Sequence, residues 1–265
     1  MTVSTFGGPV AEFYARFRRG YPEAVVARLG AALDLNVGSR VLDVGCGTGQ
    51  LTIPLAARIR AALGVDVEPD MLRFARRAAL DAGVGNVSWL LASDAELGAV
   101  AALTGEHMFD AATIGQALHW MDAPRLFRTL RRLVRPGGGV AVITNGEPQW
   151  LLDTGWSRAL RAHLEAWLGQ PLTARCGTDR DAQRAYREAL ANAGFGRIEE
   201  IAVEHREAPL FDGLVGSVYS AMSPETIPTG RERETFEARL RAAVGAEPYP
   251  EDVRVTLLVG RRGAG

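Results

Sequence analysis

The chain has 265 residues, 47% of them hydrophobic and 23% charged, which suits one large α/β domain, or one domain with a small appendage, around a sizeable core, and gives no sign of disorder. A formal net charge of −1 leaves no whole-chain field to attract nucleic acid or an anionic membrane, so a small-molecule partner is expected. The only two cysteines, Cys46 and Cys176, stand far apart and outside any Cys/His cluster, which argues against a disulfide framework and a metal site.

The chain opens on "MTVSTFGGPVAEFYARFRRG", which lacks an apolar signal core, and no later run reaches bilayer-spanning length, so a cytoplasmic protein is expected. Residues 1–35 read as a helical arm. Short β-type runs follow at 40–45, 61–67, 87–92, 109–116 and 139–145, separated by stretches at 50–59, 68–83 and 122–139 with apolar residues at three- and four-residue spacing. This alternation predicts a parallel sheet with helices on both faces. Pro136 with Gly137 to Gly139 is expected to close the last of those helices.

After the core at 36–145 comes a cap-like insert at 146–180, with an amphipathic helix at 156–169 and three tryptophans, Trp150, Trp156 and Trp167, that either pack or wall a substrate site. A helix ended by Gly194, a strand near 197–205, a helix at 231–245 and a strand at 253–260 complete a single domain.

The first strand runs into "RVLDVGCGTGQ" (40–50), whose glycines lack the Cβ that would hold a ligand off the backbone. A dinucleotide fingerprint needs G-x-G-x-x-G. Counting from Gly45, Gln50 stands where the last glycine belongs; counting from Gly47, Thr52 does. Every basic residue is Arg, so the P-loop ammonium is absent too. What remains is D-x-G-x-G-x-G: Asp43, Gly45, Gly47 and Gly49.

Here the sequence resembles the class I S-adenosylmethionine-dependent methyltransferases, in particular the small-molecule branch that includes ubiquinone/menaquinone-biosynthesis and trans-aconitate methyltransferases. "GVDVEPDMLRFAR" places an acid, Asp66, at the end of the second strand, where a carboxylate accepts from both ribose hydroxyls or else caps the next helix, with Asp70 available to help there. The resemblance further implies Val67 beside the cofactor, Met71 against adenine, Asp94 and the Ala95 N–H in "LLASDAELG" on the adenine edge, and Gln116 in "FDAATIGQALHWM" near the cofactor. On the same resemblance, Asp43 is expected either to hold the cofactor ammonium or to orient the loop. The implied fold is a Rossmann-like, seven-stranded, mostly parallel sheet with an N-terminal helical arm and a helical insert after the fifth strand.

"YARFRRGYP" (14–22) resembles the arm of this branch, with Arg19 in place of a proline. Tyr14 and Arg18 are thereby implied at the cofactor, Arg18 on its carboxylate, with Tyr21 and Trp120 at the substrate. Methyl transfer asks the protein mainly to position the nucleophile and exclude water. His119 is the candidate general base if the acceptor must lose a proton, and packing is the rival role for it and Trp120. His107, His163 and His205 read as surface or packing residues. Arg16 or Arg19 is a candidate for an acceptor carboxylate. A nucleic-acid methyltransferase and a cofactor-binding protein without transferase activity, a cyclase or a partner subunit, stand as alternatives.

Overall fold

The computed structural model describes residues 6–264. The helices are α1 (Pro9–Phe17), α2 (Glu23–Ala32), α3 (Thr52–Ala56), α4 (Pro69–Asp81), α5 (Leu97–Thr104), α6 (Ala123–Leu133), α7 (Gly155–Leu168), α8 (Arg180–Asn192), α9 (Phe211–Tyr219) and α10 (Gly230–Val244). The strands are β1 (Arg40–Val44), β2 (Ala61–Asp66), β3 (Val87–Leu91), β4 (Phe109–Gly115), β5 (Val134–Asn145), β6 (Phe195–Glu207) and β7 (Glu251–Arg262). They form one sheet in the order β3-β2-β1-β4-β5-β7-β6. Strands β1 to β5 pair in parallel and β7 runs antiparallel to β5. The Rossmann-like, mostly parallel sheet expected from the sequence is the one observed.

The described residues divide into two compact units, 20–145 with 177–203 and 255–264, and 6–19 with 146–176 and 204–254. In the first, alternate strand residues face opposite ways. Leu42, Val44, Ala112, Ile114, Val140 and Val142 pack with Leu97, Leu126, Leu130 and Leu190 from α5, α6 and α8. The intervening positions face the other helices: a Cβ on Gly139 would lie 2.8 Å from Leu33 Cδ2 at the end of α2. The core of the second unit is aromatic, with Phe211, Tyr219, Phe236 and Tyr249 buried among Leu160, Leu164 and Leu240.

Three local expectations need correction. The helix expected over 122–139 ends at Leu133, because Val134 and the Pro136–Gly139 stretch continue as β5 with a register shift opposite Phe109 and Ala111. Glycine is needed there: a Cβ on Gly138 would lie 2.3 Å from the Asp110 carbonyl oxygen. The helix expected at 50–59 shrinks to the five residues of α3. Helices α5 and α9 form where no helix was read. A Ser93–Glu96 capping box leads into α5, the Glu96 carboxylate accepting from the Ser93 N–H at 2.8 Å. In α9 two glycines weaken the propensity, yet Phe211, Leu214, Val215, Val218 and Tyr219 are all buried, and Gly216 leaves room for the Phe17 ring.

The tryptophans of the 146–180 stretch pack. Trp156 Nε1 donates to the Pro250 carbonyl at 3.2 Å and its ring meets Tyr249; Trp167 Nε1 donates to the Thr226 carbonyl at 3.1 Å and its ring meets Phe236. Among the described residues no helix is long and apolar enough to cross a membrane.

Candidate functional site

Because β1 to β4 are parallel, the loops that follow them all leave the same edge of the sheet. The connections reverse direction between β1 and β4, and in open α/β sheets such a switch point opens a crevice where ligands bind. The glycine loop and Gln116 both border it.

Asp43 is buried in β1, 1% exposed, on the sheet face opposite Leu42 and Val44. Thr52 Oγ1 of α3 donates to one of its oxygens at 2.5 Å and Thr113 Oγ1, its register partner on β4, donates to the other at 2.7 Å. Burial raises its pKa to about 6 against the pull of both hydroxyls, with a smaller upward push from Asp66. Of the two roles open to Asp43, this geometry fits the second: its carboxylate ties the root of the loop to α3 and β4.

The loop turns through left-handed backbone at Gly45, Gly47 and Gly49. At Gly45 a side chain is also excluded by the protein itself, since a Cβ would lie 2.5 Å from Ala117 Cβ in the loop after β4. The N–H of Gly47 donates to Asp66 Oδ2 at 2.8 Å, and the N–H of Glu68 donates to Asp66 Oδ1 at 3.0 Å. Asp66 thus joins the loop after β1 to the entry of α4. Burial raises its pKa, partly offset by backbone N–H groups of Glu68, Gly47 and Val67. The N-cap of α4 is Glu68, which accepts from the Asp70 N–H at 3.1 Å; Asp70, expected to help at this helix start, pairs with Arg73 instead.

Gly45→Ala combines a positive φ with an overlap of two carbons. The expected cost is about 2 kcal/mol or more of stability, read as a lowered denaturant midpoint at unchanged slope.

Around this centre Val67 is 65% exposed, whereas Met71, one turn into α4, is 3% exposed and belongs to the core. Asp94 opens the short turn after β3, with Ala95 exposed beside it. Gln116 follows β4 at φ 51, its N–H donating to the Ile143 carbonyl at 2.8 Å. His119 and Trp120 share the next short turn, with ring centroids 5.0 Å apart and Trp120 64% exposed. Tyr21 reaches the same edge: its hydroxyl lies 2.7 Å from where a Cβ on Gly115 would be, and Asn145 Nδ2 of β5 donates to the Gly20 carbonyl at 3.0 Å. Two contributors were missed in the sequence, Thr52 and Thr113; only the register of β1 with β4 and the start of α3 put their hydroxyls on Asp43.

Tyr14 and Arg18 belong to the second unit, where the Arg18 guanidinium lies 5.3 Å from the Tyr14 ring centroid and 3.4 Å from Ser220 Oγ. Arg19, a candidate for an acceptor carboxylate, is committed to two acids of its own chain: Nε donates to Glu207 at 2.8 Å and Nη2 to Glu251 at 2.5 Å. The other candidate, Arg16, is exposed over the Phe17 ring. Both cysteines are free thiols, Cys46 buried and Cys176 half-buried. No cluster of metal-ligating side chains occurs among the described residues.

Residues 41–138 match a family model described as a methyltransferase domain, a span that holds Asp43, Asp66, Asp94, Gln116 and His119. An uncharacterised methyltransferase of Mycobacterium tuberculosis is 36% identical over 157 residues, covering 59% of this chain and 57% of that protein. A ubiquinone biosynthesis O-methyltransferase of Xanthomonas oryzae is 36% identical over 115 residues, 43% of this chain and 46% of its own. The chain thus spans only about half the length of these curated relatives. Among solved structures, a protein of Anaeromyxobacter dehalogenans provisionally described as a type II methyltransferase superposes with a TM-score of 0.59 at 25% identity, covering 93% of this chain and 97% of that one. The resemblance to the class I methyltransferases read from the loop and strand ends is borne out over this span.

Proposed function

We propose that this chain is an S-adenosylmethionine-dependent methyltransferase acting on a small-molecule acceptor in bacterial metabolism. The observation that carries the reading is Asp66, a half-buried carboxylate at the end of β2 that is already fixed by the Gly47 and Glu68 N–H groups beside a switch-point crevice. A carboxylate offers about four lone-pair positions. The Gly47 and Glu68 N–H groups take two of them, with the Val67 N–H also turned towards the carboxylate, and the positions left over face a vicinal diol such as a ribose.

The residues present also fit a cationic nucleoside. Acids stand on β1, at the end of β2 and after β3, while the N–H of the middle loop glycine is turned onto Asp66, the reverse of a phosphate nest. When bound, the sulfonium cofactor supplies an electrophilic methyl group. The chain's part is to hold the donor along the strand ends and the acceptor in line with it, in a crevice from which water is excluded. In this reading Asp66 and Val67 take the ribose side, Asp94 and the Ala95 N–H the adenine side, with Met71 packed in the core rather than against the ligand, and Gln116 the β4 side. Tyr21 and Trp120 border the acceptor. Tyr14 and Arg18 remain candidates for the cofactor carboxylate. Two free thiols fit a reducing compartment, in this reading the cytoplasm.

Incubation with methyl-labelled S-adenosylmethionine and a bacterial metabolite extract, followed by measurement of S-adenosylhomocysteine release, tests the activity. Binding of S-adenosylhomocysteine without any turnover across extracts would instead favour a non-transferring protein. His119, half-buried on a turn closed by the Trp120 N–H to the Ala117 carbonyl at 3.0 Å, is assigned the role of general base. His119→Ala is expected to leave S-adenosylhomocysteine affinity within about twofold while lowering the single-turnover rate roughly tenfold to a hundredfold.

A further inference from the structure

We propose that Trp89, on the edge strand β3, is a positioning residue for the cofactor: its indole reaches across Gly64 of β2 and props the glycine loop at the height the bound nucleoside requires. The inference deepens the function proposed above and rests on it.

Register partners on parallel strands put their side chains on the same face of a sheet. Thr113, Asp43, Gly64 and Trp89 are such partners across β4, β1, β2 and β3, so one row holds a hydroxyl, a buried carboxylate, a gap and an indole. The indole fills the gap. A Cβ on Gly64 would lie 2.6 Å from both Trp89 Cε3 and Trp89 Cζ3, and 3.0 Å from Cys46 Sγ. Gly64 keeps ordinary strand backbone, so glycine stands there for space and not for a turn. Glycine inside a strand marks such a close approach. The ring continues to the loop: a Cβ on Gly49 would lie 3.2 Å from Trp89 Cη2, with Ile53 Cδ1 of α3 2.9 Å from the same point.

The indole and the Cys46 thiol thus converge over Gly64, and the far edge of the ring reaches Gly49. Cys46 and Gly49 bracket Gly47, whose N–H donates to Asp66. The loop is therefore held in two ways. The carboxylate fixes the direction of one N–H, and a flat, rigid ring fixes how deep the residues on either side of it sit. Asp66 is the group assigned to the ribose, so a loop that sinks draws the Gly47 N–H off it and moves the frame of the ligand.

Calorimetry with S-adenosylhomocysteine and the fluorescence of Trp89 test this by separate routes. Trp89→Phe keeps a flat ring and should hold affinity within about threefold, whereas Trp89→Leu lets the loop sink and should lose about tenfold or more. Gly64→Ala keeps the indole but drives it outward, and should lose as much as Trp89→Leu. In the double variant the added methyl meets a smaller side chain, so the two losses should not add. The spectrum of the unaltered chain minus that of Trp89→Phe isolates the emission of Trp89, which should shift when S-adenosylhomocysteine saturates the site. A ring that only fills space in the sheet would give no such shift, and this difference decides alone if Trp89→Leu does not fold. Unchanged affinity in Trp89→Leu and Gly64→Ala, losses that add in full, or an emission indifferent to the ligand overturns the inference while leaving the cofactor reading intact. An unaltered chain that does not bind S-adenosylhomocysteine overturns both.

Discussion

Asp66→Ala is expected to weaken S-adenosylhomocysteine binding by two to three orders of magnitude in a calorimetric titration. Hydrogen bonds to a charged acceptor contribute about 1.5–3 kcal/mol each, so losing two to ribose hydroxyls corresponds to about 3 kcal/mol or more. The substitution also releases the Gly47 and Glu68 N–H groups, which loosens the loop that frames the ligand. Asp66→Asn keeps one acceptor and sets an N–H2 against a backbone donor, so an intermediate loss is expected. Because burial raises the pKa of Asp66, affinity should fall as pH is lowered through that raised value, where the carboxylate takes up a proton and ceases to be an acceptor on both oxygens. An alanine variant that keeps its far-UV spectrum and binds as tightly as the unaltered chain removes the ribose assignment.

The parts of the site legible in the sequence are those whose chemistry is local. Alternating β runs, the spacing that rules out a dinucleotide fingerprint, and an acid at a strand end are all constraints within a few residues, and β1, β2 and the loop between them lie where they were read. The parts that stayed hidden depend on what the fold brings from elsewhere. Gly45 is glycine partly because Ala117, 72 positions on, packs onto it, which no local pattern encodes. The same holds for Glu68, whose capping role needs the chain path out of β2, and for Arg19, whose two carboxylates come from β6 and β7. Helix α9 illustrates a different limit: its glycines argue against a helix in isolation, and burial of five large side chains overrides them. At β5 the Pro-Gly-Gly-Gly signal marks an irregular strand rather than a loop, since a bulge and a turn call for the same residues.

Asp43→Asn is expected to make the protein more stable at neutral pH, and the gain should vanish in acid. The sign follows from where the proton goes. The folded-state pKa of about 6 lies above the ordinary value of 3.8, so between about pH 4 and pH 6 the folded chain binds more protons than the unfolded one, and stability falls as pH rises through that window. A difference of about two units corresponds to about 3 kcal/mol, borne in full at pH 7 and relieved below about pH 4. Asparagine does not titrate and retains the shape, and the Thr52 and Thr113 hydroxyls can turn to donate to its oxygen and accept from its nitrogen. Urea denaturation of both proteins from pH 4 to pH 7 isolates this effect, because every other carboxylate is common to the pair; a difference independent of pH means that Asp43 is not desolvated as its burial implies. A charge that costs stability at neutral pH and is nevertheless kept needs another reason. For a crevice that holds a sulfonium nucleoside, that reason is the field of a buried anion under the glycine loop, acting on a cationic ligand at an effective dielectric near 20 with a strength of about 1–2 kcal/mol. The variant should therefore bind S-adenosylmethionine roughly tenfold more weakly while its affinity for the uncharged thioether S-adenosylhomocysteine changes less. Equal changes for both ligands would assign Asp43 to loop geometry alone.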